Sequence, residues 1–147
     1  CVPGASGRGP ARQLVRLYEA LMGGGQSHGK RVLSPQTVEA LTARQRTGFY
    51  DHTFKHVMDW GLGLVVNSAM YGLETVPYGY GRHASWRTYG HSGQQCAVAF
   101  ADPEAQLAVA LIVNGMPGVE RHHTRFFEVL SALYEDLDLI DGGTSVA

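Results

Sequence analysis

The run Tyr89-Gly90-His91-Ser92-Gly93-Gln94-Gln95-Cys96-Ala97-Val98-Ala99-Phe100-Ala101-Asp102-Pro103-Glu104-Ala105-Gln106-Leu107-Ala108-Val109-Ala110-Leu111-Ile112-Val113-Asn114 decides the fold. It reads as two extended segments, 89–101 and 106–114, joined at Asp102-Pro103-Glu104-Ala105, where proline at the second position is turn chemistry. Gly90 and Gly93 interrupt the first segment. Cys96, Val98 and Phe100 share one face of it, and Ala97, Ala99 and Ala101 the other. In the second segment Leu107, Val109, Leu111 and Val113 oppose Ala108, Ala110 and Ile112. Neither segment has a polar face, so the hairpin is predicted to be covered on both sides. The alanine face leaves room for a helix to pack closely.

Outward from this hairpin the chain alternates helices, strands and loops. After a loop at 4–10, Pro10 suits the first turn of a helix. Leu14, Leu17, Tyr18 and Leu21 follow at helical spacing and are its expected apolar stripe. Gly23-Gly24-Gly25 is a helix stop, and a polar loop is expected up to Arg31. Ser34-Pro35 starts a second helix, with Ser34 as N-cap and Val38 and Leu41 facing inward, ending near Arg46-Thr47-Gly48. Trp60 to Asn67 reads as one strand whose Gly61 and Gly63 invite the close approach of a backbone or a ligand. The aperiodic stretch 68–87 reads as a long surface loop, a length uncommon unless functional. Phe126, Phe127, Val129, Leu130, Leu133, Tyr134 and Leu137 form the stripe of a last helix, and 141–147 reads as a frayed, disordered tail. The fold class expected is α/β (α+β), an antiparallel sheet flanked by helices.

The 147 residues are enough for one domain, and 44% hydrophobic content can bury a core. A net charge of −1 lacks the basic excess that nucleic acid or an anionic membrane would require. No apolar run approaches the ~20 residues that span a bilayer. Glycine, 19 of 147, is about twice its usual ~7% share and signals many tight turns. Two cysteines, Cys1 and Cys96, make neither a disulfide framework nor a zinc site by themselves. The opening Cys1-Val2-Pro3-Gly4 lacks an initiator Met and a signal-type segment. Residues 1–147 are therefore expected to be a piece of a longer protein, and its compartment, cytoplasmic or secreted, is left open.

Four short patterns bear on chemistry. Gly24 to Lys30 has phosphate-loop spacing, but it follows a helix and Arg31 stands where Ser or Thr belongs. His52 and His56 are four apart, yet their segment is not convincingly helical and no third metal ligand is placed, so a solvated loop is expected. His122-His123 is expected to be exposed in the first turn of the last helix. Gly90-His91-Ser92-Gly93 lacks the Gly-x-Ser-x-Gly spacing and the following helix of a nucleophile elbow, which makes Ser92 a poor nucleophile.

The ordered series Leu33-Ser34-Pro35, Trp60-Gly61-Leu62-Gly63-Leu64, Tyr89-Gly90-His91-Ser92-Gly93 and Phe100-Ala101-Asp102-Pro103-Glu104, then a return strand and a last helix, resembles the C-terminal part of the serine β-lactamase and penicillin-binding-protein superfamily. It is most similar to class C β-lactamases and the esterases like them, from about Val2 to Leu139. The resemblance implies that His91-Ser92-Gly93 is the family's third motif, usually Lys-Thr-Gly and often His-x-Gly in esterase-like members. It further implies that the backbone N–H of Gln94 forms half of an oxyanion hole. His91 would then stand where the Lys does and donate a hydrogen bond. An imidazole carries no fixed charge at neutral pH, so esters or small amides are expected over penicillin-like acids. Tyr89, Tyr80 and Arg82, around the same strand, are the expected substrate contacts. No metal or organic cofactor is implied.

The chain holds no Tyr-x-Asn, the family's second motif, and its one match to the family's nucleophile motif Ser-x-x-Lys, Ser27-His28-Gly29-Lys30, falls in the polar loop before Arg31 and not on an expected helix. Both lie upstream in family members. Residues 1–147 are thus expected to be the C-terminal portion of a single β-lactamase-like domain, completed by an N-terminal segment of the same enzyme. Alone it is expected to be inactive and to self-associate through an exposed sheet edge. The alternative is a non-catalytic binding or assembly module on the same scaffold.

Overall fold

A computed structural model describes residues 7–140; the tail expected at 141–147 lies outside the described residues. In chain order the elements are α1 (Ala11–Met22), β1 (Gln26–Ser27), β2 (Lys30–Arg31), α2 (Pro35–Thr42), β3 (Arg46–Asp51), β4 (His56–Trp60), β5 (Val65–Val66), a single 3₁₀ turn at Ala69–Tyr71, β6 (Tyr89–Ser92), β7 (Ala97–Asp102), β8 (Leu107–Ile112) and α3 (Val119–Asp136). Strands β3 to β8 form one six-stranded antiparallel sheet in sequence order, and β1 and β2 form a separate hairpin.

The two faces of β7 are covered as the residue pattern requires. Ala99 and Ala101 pack with Tyr18 and Leu21 of α1 and with Val66 and Tyr89. Val98 and Phe100 pack with Phe126, Leu130 and Tyr134 of α3. The small side chains let α1 approach β7 and β8 closely. Burying each large apolar side chain on the α3 face contributes about 1.5–3 kcal/mol. Asp102 to Ala105 forms the β7–β8 turn, with Asp102 Oδ1 accepting from the Glu104 and Ala105 amides.

Local signals at helix ends hold. The Ser34 hydroxyl accepts the Thr37 amide at 3.1 Å and caps α2. Gly23 caps α1, and Gly24 and Gly25 take positive φ beyond it. In α1, however, only Tyr18 and Leu21 of the expected stripe are buried; Leu14 and Leu17 are 39% and 51% exposed, because Ala20 takes part of the inward face. In α3, Val129 and Leu137 are likewise exposed.

Several loops resolve differently from their local pattern. The stretch before Arg31 is the β1–β2 hairpin, turned at His28 and Gly29, both at positive φ, the geometry of a tight two-residue hairpin turn. Helix α2 stops at Thr42, and Arg46 onward is strand. The loop expected around His52 is the β3–β4 hairpin, closed where Asp51 Oδ1 accepts the Thr53 and Phe54 amides and Asp51 Oδ2 pairs with Arg46 at 2.8 Å. Residues 60–67 are two short strands about a turn in which the Gly61 amide donates to the Leu64 carbonyl. The close neighbour of Gly61 is a backbone, the Leu41 carbonyl at the end of α2. The stretch 68–87 is no surface loop throughout. Tyr80 threads inward, stacks on Phe100 at 5.0 Å and donates its hydroxyl to the Val65 carbonyl. The segment 89–101 is two strands, since the chain reverses at Gly93–Cys96.

Candidate active site

The candidate site is built on β6. Strand β5 pairs with β6 only through Val65↔Gly90 and Val66↔Tyr89. Strand β7 pairs with β6 along its whole length, from Tyr89↔Ala101 to Ser92↔Val98. Beyond Gly90, therefore, β6 has one edge paired and the other open among the described residues. An open edge offers backbone N–H and C=O groups to an extended ligand.

His91 stands at this open stretch and is exposed. Its pairing with Ala99 puts it on the α1 face. Its Nδ1 lies 2.8 Å from the Ser92 carbonyl, and its ring lies 5.9 Å from that of Trp60. The Trp60 indole nitrogen is buried and has no hydrogen-bond partner among the described residues. Behind the strand, Tyr18 of α1 is buried in the core on this face, and burial pushes its pKa up to about 12. Tyr18 is thus a neutral hydrogen-bonding group at any physiological pH.

Strand alternation sends Ser92 to the other face, where it pairs with Val98. There it lines a small cavity of about 20 Å³ together with Tyr78, His122, His123 and Phe126. His122 is not exposed, as its place in the first turn of α3 suggested, but 1% accessible. It packs edge-on against Phe126 at 4.6 Å, with Tyr78 on its other side. Burial lowers the pKa of both His122 and His123, which keeps them neutral. Ser92 and His91 therefore belong to different surroundings, and Ser92 has no base held on the His91 side.

Gly93 closes the strand, its amide donating to the Ala97 carbonyl at 2.8 Å. Gln94 follows, exposed, and its backbone N–H meets no acceptor among the described residues. His91, Gly93 and Gln94 thus lie along one open strand end. Tyr89, Tyr80 and Arg82 are placed elsewhere. Tyr89 is 3% exposed within the α1-side core, and burial raises its pKa to about 12. Tyr80 is 1% exposed, with its hydroxyl engaged by Val65. Arg82 lies over the Phe127 ring and 3.7 Å from Glu135, on the α3 side. Tyr80 and Arg82 thus engage their polar atoms away from His91.

The residue pattern did not bring Trp60, Tyr18 or the Tyr78–His122–His123 group to the surroundings of β6. Only the adjacent histidines had a visible signal, and helical position argued for exposure. His56 is engaged by Thr75 and by the Val57 carbonyl, while His52 stacks on Tyr50. Among the described residues no three His, Cys, Asp or Glu side chains gather as metal ligands. The Gly24–Lys30 pattern is the β1–β2 hairpin and not a strand-to-helix loop.

The family model described as Beta-lactamase matches residues 2–134. The chain is 29% identical over 130 residues to the esterase/β-lactamase LipL of Mycobacterium tuberculosis, covering 85% of this chain and 27% of that protein. Among solved structures it is similar to a penicillin-binding protein homologue from Caulobacter crescentus, with a TM-score of 0.64 and 28% identity over 83% of this chain and 30% of that one. A β-lactamase from Mycobacterium bovis shares the fold, with a TM-score of 0.59 at 21% identity over 80% of this chain and 40% of that one. The chain thus spans less than a third of the length of the first two relatives.

Proposed function

The chain belongs to the β-lactamase family, and from that premise we propose that it supplies one wall of the active site of a serine hydrolase acting by acyl transfer on esters or small amides. The observation that carries this reading is the open end of β6, where an exposed His91 and an unpartnered Gln94 N–H stand beside an unpaired strand edge. We take the nucleophile to come from a segment outside residues 1–147, since the one Ser-x-x-Lys match here, Ser27-His28-Gly29-Lys30, lies in the β1–β2 hairpin, which is separate from the sheet that carries His91, and not on a helix. That serine attacks the substrate carbonyl and forms an acyl-enzyme, which water then hydrolyses. Negative charge on the carbonyl oxygen grows only as the tetrahedral state forms, so the fixed Gln94 N–H stabilises the transition state more than the substrate. His91 contributes a hydrogen bond next to the reacting groups. The LipL relative is named an esterase as well as a β-lactamase, which fits ester substrates, and His in place of Lys supports an ester preference.

The test uses the protein that carries this segment together with its upstream part. A fluorophosphonate serine probe is expected to label an upstream serine and to leave Ser92 unlabelled. His91→Ala is expected to lower kcat on short-chain esters about tenfold to a thousandfold. His52→Ala, an exposed hairpin residue, is the control expected to match wild type. Equal kcat for the two variants, or stoichiometric labelling of Ser92, would sink the reading. The second reading, a binding module on the same scaffold, is favoured by one observation: the chain has no Tyr-x-Asn, and its one Ser-x-x-Lys match lies in the β1–β2 hairpin and not on a helix. An upstream part without a probe-reactive serine would decide for the module.

We also propose that the upstream part covers β8. Among the described residues this strand pairs with β7 alone, and it is apolar throughout, Leu107-Ala108-Val109-Ala110-Leu111-Ile112, with Ile112 half exposed. An apolar strand with an open edge is a template for pairing with another chain. Residues 1–147 alone are therefore expected to sediment as dimers or larger species at micromolar concentration. A monodisperse monomer that binds no hydrophobic dye is the outcome against it.

A further inference from the structure

We propose that Arg125 is a positioning residue that holds the Gln94 amide in place for the proposed acyl transfer, acting through Gln95. The inference rests on the reading of Gln94 as an oxyanion donor. A donor of that kind works only if it is fixed before charge develops. Gln94 itself lies in an exposed turn, Gly93 to Cys96, and its neighbour Gln95 has a positive φ of 56°. A non-glycine residue there persists only where its surroundings hold it.

The grip on the turn comes from α3 and the loop before it. Arg125 Nη2 donates to the Gln95 carbonyl at 2.6 Å and to the Gly115 carbonyl at 3.0 Å. Its Nη1 reaches the Asn114 carbonyl at 3.5 Å. The Gly118 amide donates to Gln95 Oε1 at 2.9 Å, so Gln95 is held by both its backbone and its side chain. The planar guanidinium fork suits this work, because it donates in several fixed directions and its charge strengthens each bond. Among the described residues, the hydrogen-bond acceptors of the Arg125 guanidinium all belong to these two loops. Packing of α3 onto the sheet is carried instead by Phe126, Leu130 and Tyr134. Loss of Arg125 should loosen the turn and leave the core standing.

The experiment compares Arg125→Ala and Arg125→Lys in the intact enzyme, with two readouts. For Arg125→Ala, kcat on a short-chain p-nitrophenyl ester is expected to fall about tenfold to a hundredfold while KM stays within about threefold, as for loss of a transition-state interaction. Arg125→Lys should restore part of kcat, since one ammonium replaces some of the fork. Hydrogen exchange of the Gly93 and Val113 amides, which bond to the Ala97 and Cys96 carbonyls at the two ends of the turn, is expected to quicken about tenfold in Arg125→Ala, with the middle of β7 and β8 unchanged. Wild-type kcat in Arg125→Ala, or unchanged exchange at Gly93 and Val113, overturns the proposal. If Arg125→Ala does not fold, Arg125→Lys decides: lowered kcat at constant KM upholds it, and wild-type kcat overturns it. An enzyme without ester turnover, or one indifferent to His91→Ala, would sink the acyl-transfer reading. The exchange measurement would still decide whether Arg125 holds the turn.

Discussion

Gly90→Ala is expected to cost about 3 kcal/mol or more of folding stability, at the upper end of what overpacking a core does. Gly90 sits in the middle of the sheet, paired with Val65 on one side and Phe100 on the other. A Cβ built there would overlap the Ala99 carbonyl oxygen and stand 2.5 Å from Phe100 Cβ and 2.7 Å from Phe100 Cα. None of these atoms can rotate away. Relief requires β6 and β7 to separate, which breaks the ladder that carries His91 and disturbs the stack of Tyr80 on Phe100. Gly29→Ala is the comparison. Gly29 has a positive φ of 74°, but open space surrounds its would-be Cβ, so backbone strain of about 1 kcal/mol is all it should lose. Urea unfolding of both variants checks this, and equal midpoints would refute the close approach at Gly90.

Asp102→Ala is expected to lose about 3–5 kcal/mol at pH 7, in the range seen when a buried polar network is broken. Asp102 is fully buried. Its Oδ2 accepts from the Ser85 amide and the Tyr134 hydroxyl, both at 2.8 Å, and its Oδ1 from the Ser85 hydroxyl at 2.6 Å and the amides of Glu104 and Ala105. One carboxylate thus ties the 80s loop, the β7–β8 turn and α3 together. Truncation strands several donors in a dry interior, each costing about 1–3 kcal/mol before relaxation. Burial alone would push the Asp102 pKa up. The Ser85 hydroxyl and amide, the Tyr134 phenol and the Ala105 amide outweigh burial and leave it below the ordinary carboxylate value. The unfolded chain therefore binds the proton more readily. The stabilisation is full above the unfolded value, about 3.9, and is lost as pH falls through the lower folded value. The gap between wild type and Asp102→Ala should accordingly narrow in acid. Chemical denaturation at pH 7 and at pH 3 measures both effects. A loss under 1 kcal/mol at pH 7 would mean that the network is not held by the carboxylate.

The elements that local pattern determined are those whose signals lie within a few neighbouring residues. Asp102-Pro103-Glu104-Ala105 marks its turn, Ser34-Pro35 its helix start and Gly23-Gly24-Gly25 its helix stop. Alternation of alanines with Val98 and Phe100 assigned the two faces of β7 before any helix was placed on them. The ordered motifs around His91-Ser92-Gly93 likewise pointed to the family. What only the tertiary structure decided depends on partners far along the chain. Arg46 to Asp51 has little strand pattern, and it becomes an edge strand by pairing with β4. The end of β5 at Val65, which opens β6 at His91, follows from how the 61–64 turn meets α2. His122 looks solvated on a helical wheel and is buried because Tyr78 crosses over it. Asp102 bonds to Ser85 and Tyr134, 17 and 32 residues away, and Arg125 to Gln95, 30 away. Periodicity reports which face of an element is apolar. It carries no information on which distant polar atom will satisfy a buried donor, and those long-range bonds hold the candidate site in shape.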